Sequence, residues 1–318
     1  MKILITGGTG FVGQRLLKQL HKKGHTCVVL TRNPEKAKLH ESTPAVFHRW
    51  DGALDDVPKD SLNEVDAVVN LMGENIANKR WGASQKKKLQ NSRIEATKKL
   101  VEAIEKHCEK PLKSFISASA IGYYPVNGQS IIDEQSSKGS GFLSDLCEEW
   151  ERATESLTKA ERKIVMRLGV ILGPESGALN KLLPIFKLGG GGPIGNGEMM
   201  MSWISVDDVI NAICSFLHEE KYHGTYNLVA PGAVSNKTFT KALAKAVGMP
   251  AFFPVPPFAL KVLMGEMATI VLDSQHVKPN KLLEDGYEFI SPDIYECLQK
   301  LVGTNKTKKS SSKEVKVS

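Results

Sequence analysis

The stretch Lys2-Ile3-Leu4-Ile5-Thr6-Gly7-Gly8-Thr9-Gly10-Phe11-Val12-Gly13 decides the fold. Residues 2–6 are an apolar run too short for a helix. A glycine cluster follows, and a helical pattern opens at Phe11, Val12, Leu16, Leu17 and Leu20. Strand, turn and helix in that order are the opening of a dinucleotide site. Gly7 permits the tight turn, Gly10 lets the backbone approach a pyrophosphate, and Gly13 lets helix lie on strand. The unbonded N–H groups of the first helical turn then face the phosphates.

Outward from this stretch, His25–Leu30 reads as a second strand that ends at Thr31-Arg32-Asn33-Pro34. A site preferring NAD places Asp or Glu here for the ribose hydroxyls. Arg32 stands there instead, either a clamp for the 2′-phosphate of NADP or a solvated surface arginine. Ala45-Val46-Phe47 is a third strand, closing at Trp50-Asp51 beside the expected adenine. Asp66–Gly73 is a fourth, apolar enough for burial on both faces, with Gly73 and Glu74 at its carboxyl end. Residues 84–107 carry one long helical stripe through Leu89, Ile94, Leu100, Val101 and Ile104. Lys86, Lys87 and Lys88 in its first turns are a solvated face or a positive charge aimed at an anion, and Arg93 points back toward the cofactor edge. Phe115–Ser119 is a fifth strand, Phe142 to about Lys159 a helix, and Ile164–Leu168 a sixth strand. This alternation predicts an α/β fold with a doubly wound parallel sheet.

Beyond Gly173 the character changes. Gly189-Gly190-Gly191-Gly192-Pro193-Ile194-Gly195-Asn196-Gly197 reads as a flexible loop near a ligand cleft. Ser205 and Asp208 have capping-box-like spacing, which explains the Asp207-Asp208 pair as helix-start residues before any catalytic pair. A strand at 225–229 and helices near 236–247 and 275–285 suggest a smaller C-terminal α/β substrate lobe. The expected organisation is residues 1–175 as the main nucleotide-binding domain, 176–302 shared between its sheet and the substrate lobe, and 303–318 as a disordered basic tail.

At 318 residues the chain is long enough for one large domain with such a lobe. Of its formal net charge of +7, much sits in the tail, where Lys306, Lys308, Lys309, Lys313 and Lys316 face only Glu314. A solvated tail explains this better than a nucleic-acid partner. Five dispersed cysteines without a Cys-x-x-Cys pair argue for a reducing compartment and against disulfides or a metal site. The first strand begins at once, with no signal or transit peptide apparent, and Lys261 and Glu266 interrupt the apolar run 258–272. A cytoplasmic protein with no metal and no membrane partner is expected.

The blocks Thr6–Gly13, Asn70-Leu71-Met72-Gly73, Ser117–Tyr124, Arg167–Gly173 and Trp203–Val209 resemble the extended short-chain dehydrogenase/reductases. More narrowly, Gly73-Glu74-Asn75-Ile76, Arg80-Trp81, Ser92-Arg93 and Leu188–Gly195 resemble an atypical "epimerase family protein" subgroup, which includes bacterial proteins once labelled cell-division inhibitors. The likeness runs from about Met1 to Val302. It implies a Rossmann domain binding NADP(H) and oxidoreductase or epimerase activity on a small molecule. By position it implies Gly7, Gly10, Phe11, Val12 and Gly13 at the pyrophosphate, and Thr31 and Arg32 at the 2′-phosphate. Leu71, Met72 and Gly73 then fall by the ribose, Arg93 approaches from the helix, and Val170 lies near the nicotinamide.

One departure matters. These enzymes use a Tyr-x-x-x-Lys pair, the lysine lowering the phenol pKa so that tyrosine serves as acid and base. No tyrosine here has a lysine four positions later, and where the pair should fall the chain has Leu143 and Cys147. What remains is Ser119, matching the substrate-polarising serine, with Tyr123 or Tyr124 beside it. These tyrosines are equally well read as an acid or as strand-end residues bonding locally. Two functions follow: an NADP-dependent oxidoreductase or epimerase using Ser119 and Tyr123, or a non-catalytic NADPH-binding sensor that regulates a protein partner.

Overall fold

The computed structural model describes residues 1–40, 43–126, 128 and 130–303. The expected tail beyond residue 303 lies outside them. Seven strands, β1 (Lys2–Thr6), β2 (Thr26–Thr31), β3 (Val46–Arg49), β4 (Ala67–Asn70), β5 (Ser114–Ala120), β6 (Lys163–Leu168) and β7 (Gly224–Leu228), form one sheet. Its order is β7-β6-β5-β4-β1-β2-β3 and every pairing is parallel. The order reverses between β1 and β4, the point at whose carboxyl edge open α/β sheets bind ligands.

Between the strands run α1 (Phe11–Lys22), α2 (Pro34–His40), α3 (Ala83–Gln90), α4 (Ala96–His107) and α5 (Phe142–Arg152). After β6 come α6 (Gly177–Lys187) and α7 (Val206–His218), and after β7 come α8 (Asn236–Val247), α9 (Pro257–Met264), α10 (Thr269–Leu272), α11 (Asn280–Glu284) and α12 (Ile294–Val302). Alternate residues of β1 show why both faces are apolar. Ile3 and Ile5 join Leu16, Leu17 and Leu20 of α1 and Val209 and Ile213 of α7 in one core, while Leu4 joins Leu100 and Ile104 of α4 in the other. A third core of Leu179, Leu183 and Phe186 with Phe239, Leu243 and Leu298 joins α6, α8 and α12. Among the described residues no helix is long and apolar enough to cross a membrane.

Four local expectations are corrected. The strand near 225–229 is not part of a separate lobe but the edge of the main sheet, beside β6. The helix from Phe142 ends at Arg152, where the Thr154 hydroxyl donates to the Glu151 carbonyl at 2.7 Å and turns follow. Gln275 does not begin a helix: its side-chain amide donates to the carbonyls of Ile121 and Tyr124, His276–Val277 pairs with Ile131–Ile132, and only Asn280–Glu284 is helical. Nor is the 189–197 run loose. Phe253 N donates to Gly191 O, Val255 N to Pro193 O and Gly195 N to Val255 O, and a Cβ at Gly192 would collide with the Phe253 backbone. Its glycines serve close approach between two chain segments.

Ser205 caps α7 as the spacing implies, its Oγ accepting from Asp208 N at 3.0 Å and donating to Asp208 Oδ2 at 2.6 Å. The buried Asp208 carboxylate also accepts from the backbone of Ile290 and Ser291, tying the C-terminal segment to the sheet.

Candidate functional site

Gly7 lies at φ +67°, and a Cβ there would stand 2.6 Å from the Leu71 carbonyl oxygen. A Cβ at Gly13 would run into the Gly7 carbonyl and the Gly8 Cα. At Gly10 it would meet only the Gly7 oxygen, at 3.1 Å, leaving the outer side of the turn open. Gly10 N donates to Gly7 O at 2.9 Å and closes that turn. The helix α1 then begins without a side-chain cap and without an acidic residue in its first turn. Its positive end is therefore unopposed, as an anion site requires. Arg15 is committed elsewhere, its guanidinium donating to Glu175 at 2.6 and 2.7 Å and to Asp207 at 3.2 Å.

At the end of β2, Thr31 O accepts from Trp50 N at 2.9 Å, while Arg32 is exposed and pairs with no acid among the described residues. The expected adenine contact of Trp50 is corrected. Its ring is 1% exposed, packed in the core on the α4 side, with Nε1 donating to Asp55 O.

Leu71, Met72 and Gly73 leave β4 beside the glycine loop, Leu71 N donating to Thr6 O at 3.2 Å. The single helix expected over 84–107 is interrupted by a π-helical turn, Asn91–Glu95, between α3 and α4. Such an inserted residue recurs at functional sites because it re-aims side chains. Here Ser92 Oγ accepts from Glu74 N at 2.9 Å, and the Arg93 guanidinium comes within 3.0 Å of where a Gly73 Cβ would stand. That guanidinium lies 5.1 Å from the Trp150 ring centre and has no carboxylate within ion-pair distance among the described residues. Burial pulls its pKa down. Val170 lies two residues beyond β6, half-buried, its N donating to Ser202 O at 2.9 Å.

Behind the loop a buried network joins the strands. Asn70 accepts from the Thr6 hydroxyl at 2.7 Å and donates to Thr97 at 3.0 Å and Ser117 at 3.1 Å; Trp150 Nε1 also donates to Thr97.

The other half of the site stands at the end of β5. Ser119, 1% exposed, donates its hydroxyl proton to Glu151 Oε1 at 2.6 Å. Glu151 is clamped by Arg167 of β6, Nε to Oε1 at 2.9 Å and Nη2 to Oε2 at 2.7 Å. Arg167 Nη1 also donates to the Tyr124 hydroxyl at 2.9 Å, which donates to Asn227 Oδ1 at 2.7 Å. Burial, against the pull of Arg167, pushes the Tyr124 phenol up to about 12, so it stays protonated as a structural link. Tyr123 differs. It is half-buried, the Arg167 guanidinium stacks 3.5 Å from its ring centre, and its hydroxyl bonds to no described residue. Leu143 and Cys147 lie under Gly122, and burial, against Arg93 and Arg167, pushes the Cys147 thiol up to about 12, so neither position supplies a cation of its own.

Sequence reasoning missed Glu151 and Arg167, though a signal existed. Glu151 falls on the same α5 stripe as buried Cys147 and Trp150, and Arg167 interrupts an apolar strand. A charge on a buried face demands a partner. Among the described residues no cluster of three His, Cys, Asp or Glu could hold a metal ion.

The family model described as "NAD dependent epimerase/dehydratase family" matches residues 3–228, and a domain of unknown function (DUF1731) matches 255–301. Epimerase family protein SDR39U1 homolog, chloroplastic, from Arabidopsis thaliana is 37% identical over 304 residues, spanning 95% of this chain and 87% of its own. Epimerase family protein SDR39U1 from Homo sapiens is 33% identical over 306 residues, spanning 95% and 100%. The crystal structure of the human protein (isoform2) with NADPH matches with a TM-score of 0.86, covering 95% of this chain and 99% of that one.

Proposed function

This chain belongs to the NAD dependent epimerase/dehydratase family, and on that premise we propose that it binds NADP(H) and acts as an oxidoreductase or epimerase on a small molecule bearing a secondary alcohol or a carbonyl. The observation that carries this is the turn at the carboxyl edge of β1, where Gly7 and Gly13 allow backbone approaches that a Cβ would block and Gly10 leaves the outer side open beside an uncapped helix start. The relative crystallised with NADPH supports the choice of cofactor, as does unpaired Arg32, whose guanidinium suits a 2′-phosphate. Gly7, Gly10, Phe11, Val12 and Gly13 hold the pyrophosphate, Thr31 and Arg32 the 2′-phosphate, and Leu71, Met72 and Gly73 the ribose. Arg93 approaches across Gly73, and Val170 flanks the nicotinamide.

A nicotinamide bound there supplies or accepts a hydride. The protein's share is proton handling. Because the Ser119 proton goes to Glu151, the serine meets a ligand with lone pairs and not as a donor. Ser119 Oγ takes the proton of a ligand hydroxyl as its own passes to Glu151 Oε1, and the reverse transfer returns it to a carbonyl. Arg167 fixes the carboxylate for this exchange. Tyr123, whose ring lies under the Arg167 guanidinium and whose hydroxyl bonds to no described residue, is the tyrosine available as acid, and the cation beside it comes from a strand instead of a lysine four residues on.

Fluorescence titration with NADPH and NADH tests the cofactor. Arg32→Ala should weaken NADPH about tenfold, some 1.4 kcal/mol, and leave NADH unchanged; equal losses remove the basis for NADP. Turnover on a panel of carbonyl compounds and nucleotide sugars tests the chemistry. Negligible turnover by both wild type and Ser119→Ala would leave the second reading, a non-catalytic NADPH sensor. Leu143 and neutral Cys147 in place of the Tyr/Lys pair favour that reading. It expects NADPH affinity without turnover and a protein partner whose binding follows the cofactor.

A further inference from the structure

At the amino edge of the sheet, opposite the cofactor turn, two histidines meet. His25 stands between α1 and β2, and the backbone around it is held on both sides: His25 N donates to Leu20 O at 3.0 Å, and Thr26 N to Met1 O at 3.0 Å. His218 is the last residue of α7, where Glu219 N donates to Ser215 O at 2.8 Å. Because α1 and α7 share one core through Leu16, Leu20, Val209 and Ile213, packed elements set the positions of both rings. Their Nε2 atoms lie 3.1 Å apart.

The far side of each ring fixes its tautomer. His218 Nδ1 lies 2.6 Å from Cys214 O, which can only accept, so that nitrogen carries the proton and Nε2 presents a lone pair. His25 Nδ1 lies 3.2 Å from the Met1 ammonium, which can only donate, so His25 carries its proton on Nε2 and shares it with His218. That contact is bent. A straight N–H···N bond of this length puts the ring centres about 5.4 Å apart, whereas they stand 5.0 Å apart with their planes at 46°. The ring axes are therefore not in line, as two ligands of one ion require. Two imidazoles on a tetrahedral ion, with bonds of about 2.0–2.1 Å, hold their nitrogens about 3.3 Å and their ring centres about 5.2 Å apart. The pair is about 0.2 Å short of both separations. Lys23, the Met1 ammonium and Asp66 all act on His25, and Asp66 accepts from Lys2 N at 2.7 Å. Glu219, next to His218, is paired with Lys221 at 3.1 Å. Among the described residues no carboxylate forms an ion pair with either ring.

We propose that His25 and His218 bind one Zn²⁺ between their Nε2 atoms, with water in the remaining positions. Solvent reaches them, His218 being exposed and His25 half-buried. Zinc suits neutral imidazole, and the bond from His218 Nδ1–H to Cys214 O is the outer contact that orients a ligating ring. On binding, the proton between the rings leaves to solvent. His25 Nδ1 then takes one from the Met1 ammonium, and the resulting amine accepts from it, so one proton is released per ion. This departs from the expectation of no metal, which rested on the cysteines. A pair falls short of a cluster of three, and water completes the shell. Bound zinc ties the end of α7 to the head of β2, at the edge of the sheet away from the cofactor turn.

The test titrates the full chain with zinc against a chromophoric zinc indicator and melts it in the same zinc series. The wild type should bind one ion per chain, and its melting temperature should rise with zinc. His218→Gln and His25→Gln should each weaken that ion at least about tenfold and abolish the rise. His21→Gln, in the last turn of α1, should change neither. Should His25→Gln fold poorly through loss of its Met1 contact, His218→Gln at the exposed helix end decides. Wild type that binds no zinc overturns the proposal and leaves two imidazoles bonded only to each other. Zinc retained undiminished by His218→Gln overturns it too, placing the ion on other histidines. So does a crystal grown with zinc whose anomalous peak is not shared by the two Nε2 atoms.

Discussion

The two halves of the candidate site are built from different material. The cofactor half is backbone: Gly7, Gly10, Gly13 and an uncapped helix start, all within one stretch of chain. The proton half is side chain, with Ser119 and Tyr124 at the end of β5 meeting Glu151, Arg167 and Asn227 from three other places. A backbone site has few sequence solutions, because only glycine satisfies its geometry. A side-chain site has many, provided each charge finds a partner.

Three measurements can break or sharpen that contrast. The greatest change is expected from Glu151→Ala, which strands the Arg167 guanidinium; the side chains of that arginine and its carboxylate are 7% and 15% exposed. Removing one partner of a buried pair costs about 3–5 kcal/mol, read as a lowered denaturant midpoint. NADPH affinity per folded molecule should stay within about tenfold, and a far larger loss would mean that the two halves are one. Gly13→Ala comes next. Its methyl meets the Gly7 carbonyl and Gly8 Cα, so NADPH affinity should fall about a hundredfold, near 2.7 kcal/mol, while the Ser119–Glu151 contact survives.

The smallest signal is alkaline. Burial raises the Tyr124 pKa to about 12 despite the opposing pull of Arg167 and its Asn227 bond, above the unfolded value near 10. The folded state therefore favours the protonated phenol. Its contribution to stability is complete below about pH 10 and is lost as pH rises toward 12. Burial also raises Tyr222, Tyr226 and Tyr287, so phenolate absorbance should show several late-titrating tyrosines and Tyr124→Phe should remove one of them. Were Tyr124 to ionise with the exposed tyrosines, it would be an available acid, and its separation from Tyr123 would fail.

The sheet and the cofactor half were readable from the chain because their signals are local. An apolar run followed by spaced glycines fixes β1, its turn and α1, and alternation of strand and helix fixes the parallel sheet. The errors fell where distant groups decide. Trp50 at a strand end is equally compatible with a ligand face or a core, and only the packing of α4 buries it. Gln275 sits in a stretch that reads as helical, yet the carbonyls of Ile121 and Tyr124 accept from its amide. The π turn that aims Arg93 shows in the apolar stripe only as the five-residue step from Leu89 to Ile94, one longer than an α-helical repeat. Glu151 and Arg167 each violate their local pattern, and each violation is half of one ion pair.

The stacking of Arg93 on Trp150 has a practical side. All four tryptophans are buried, but Trp150 alone combines an indole N–H bonded to Thr97 with a guanidinium at the carboxyl edge of β4. An indole's emission responds to a nearby cation and to a reduced nicotinamide that overlaps its spectrum. The protein thus carries an optical reporter wired to the arginine of its own candidate site. Removing that one ring, with Trp50, Trp81 and Trp203 left in place, would show which part of the light comes from the site.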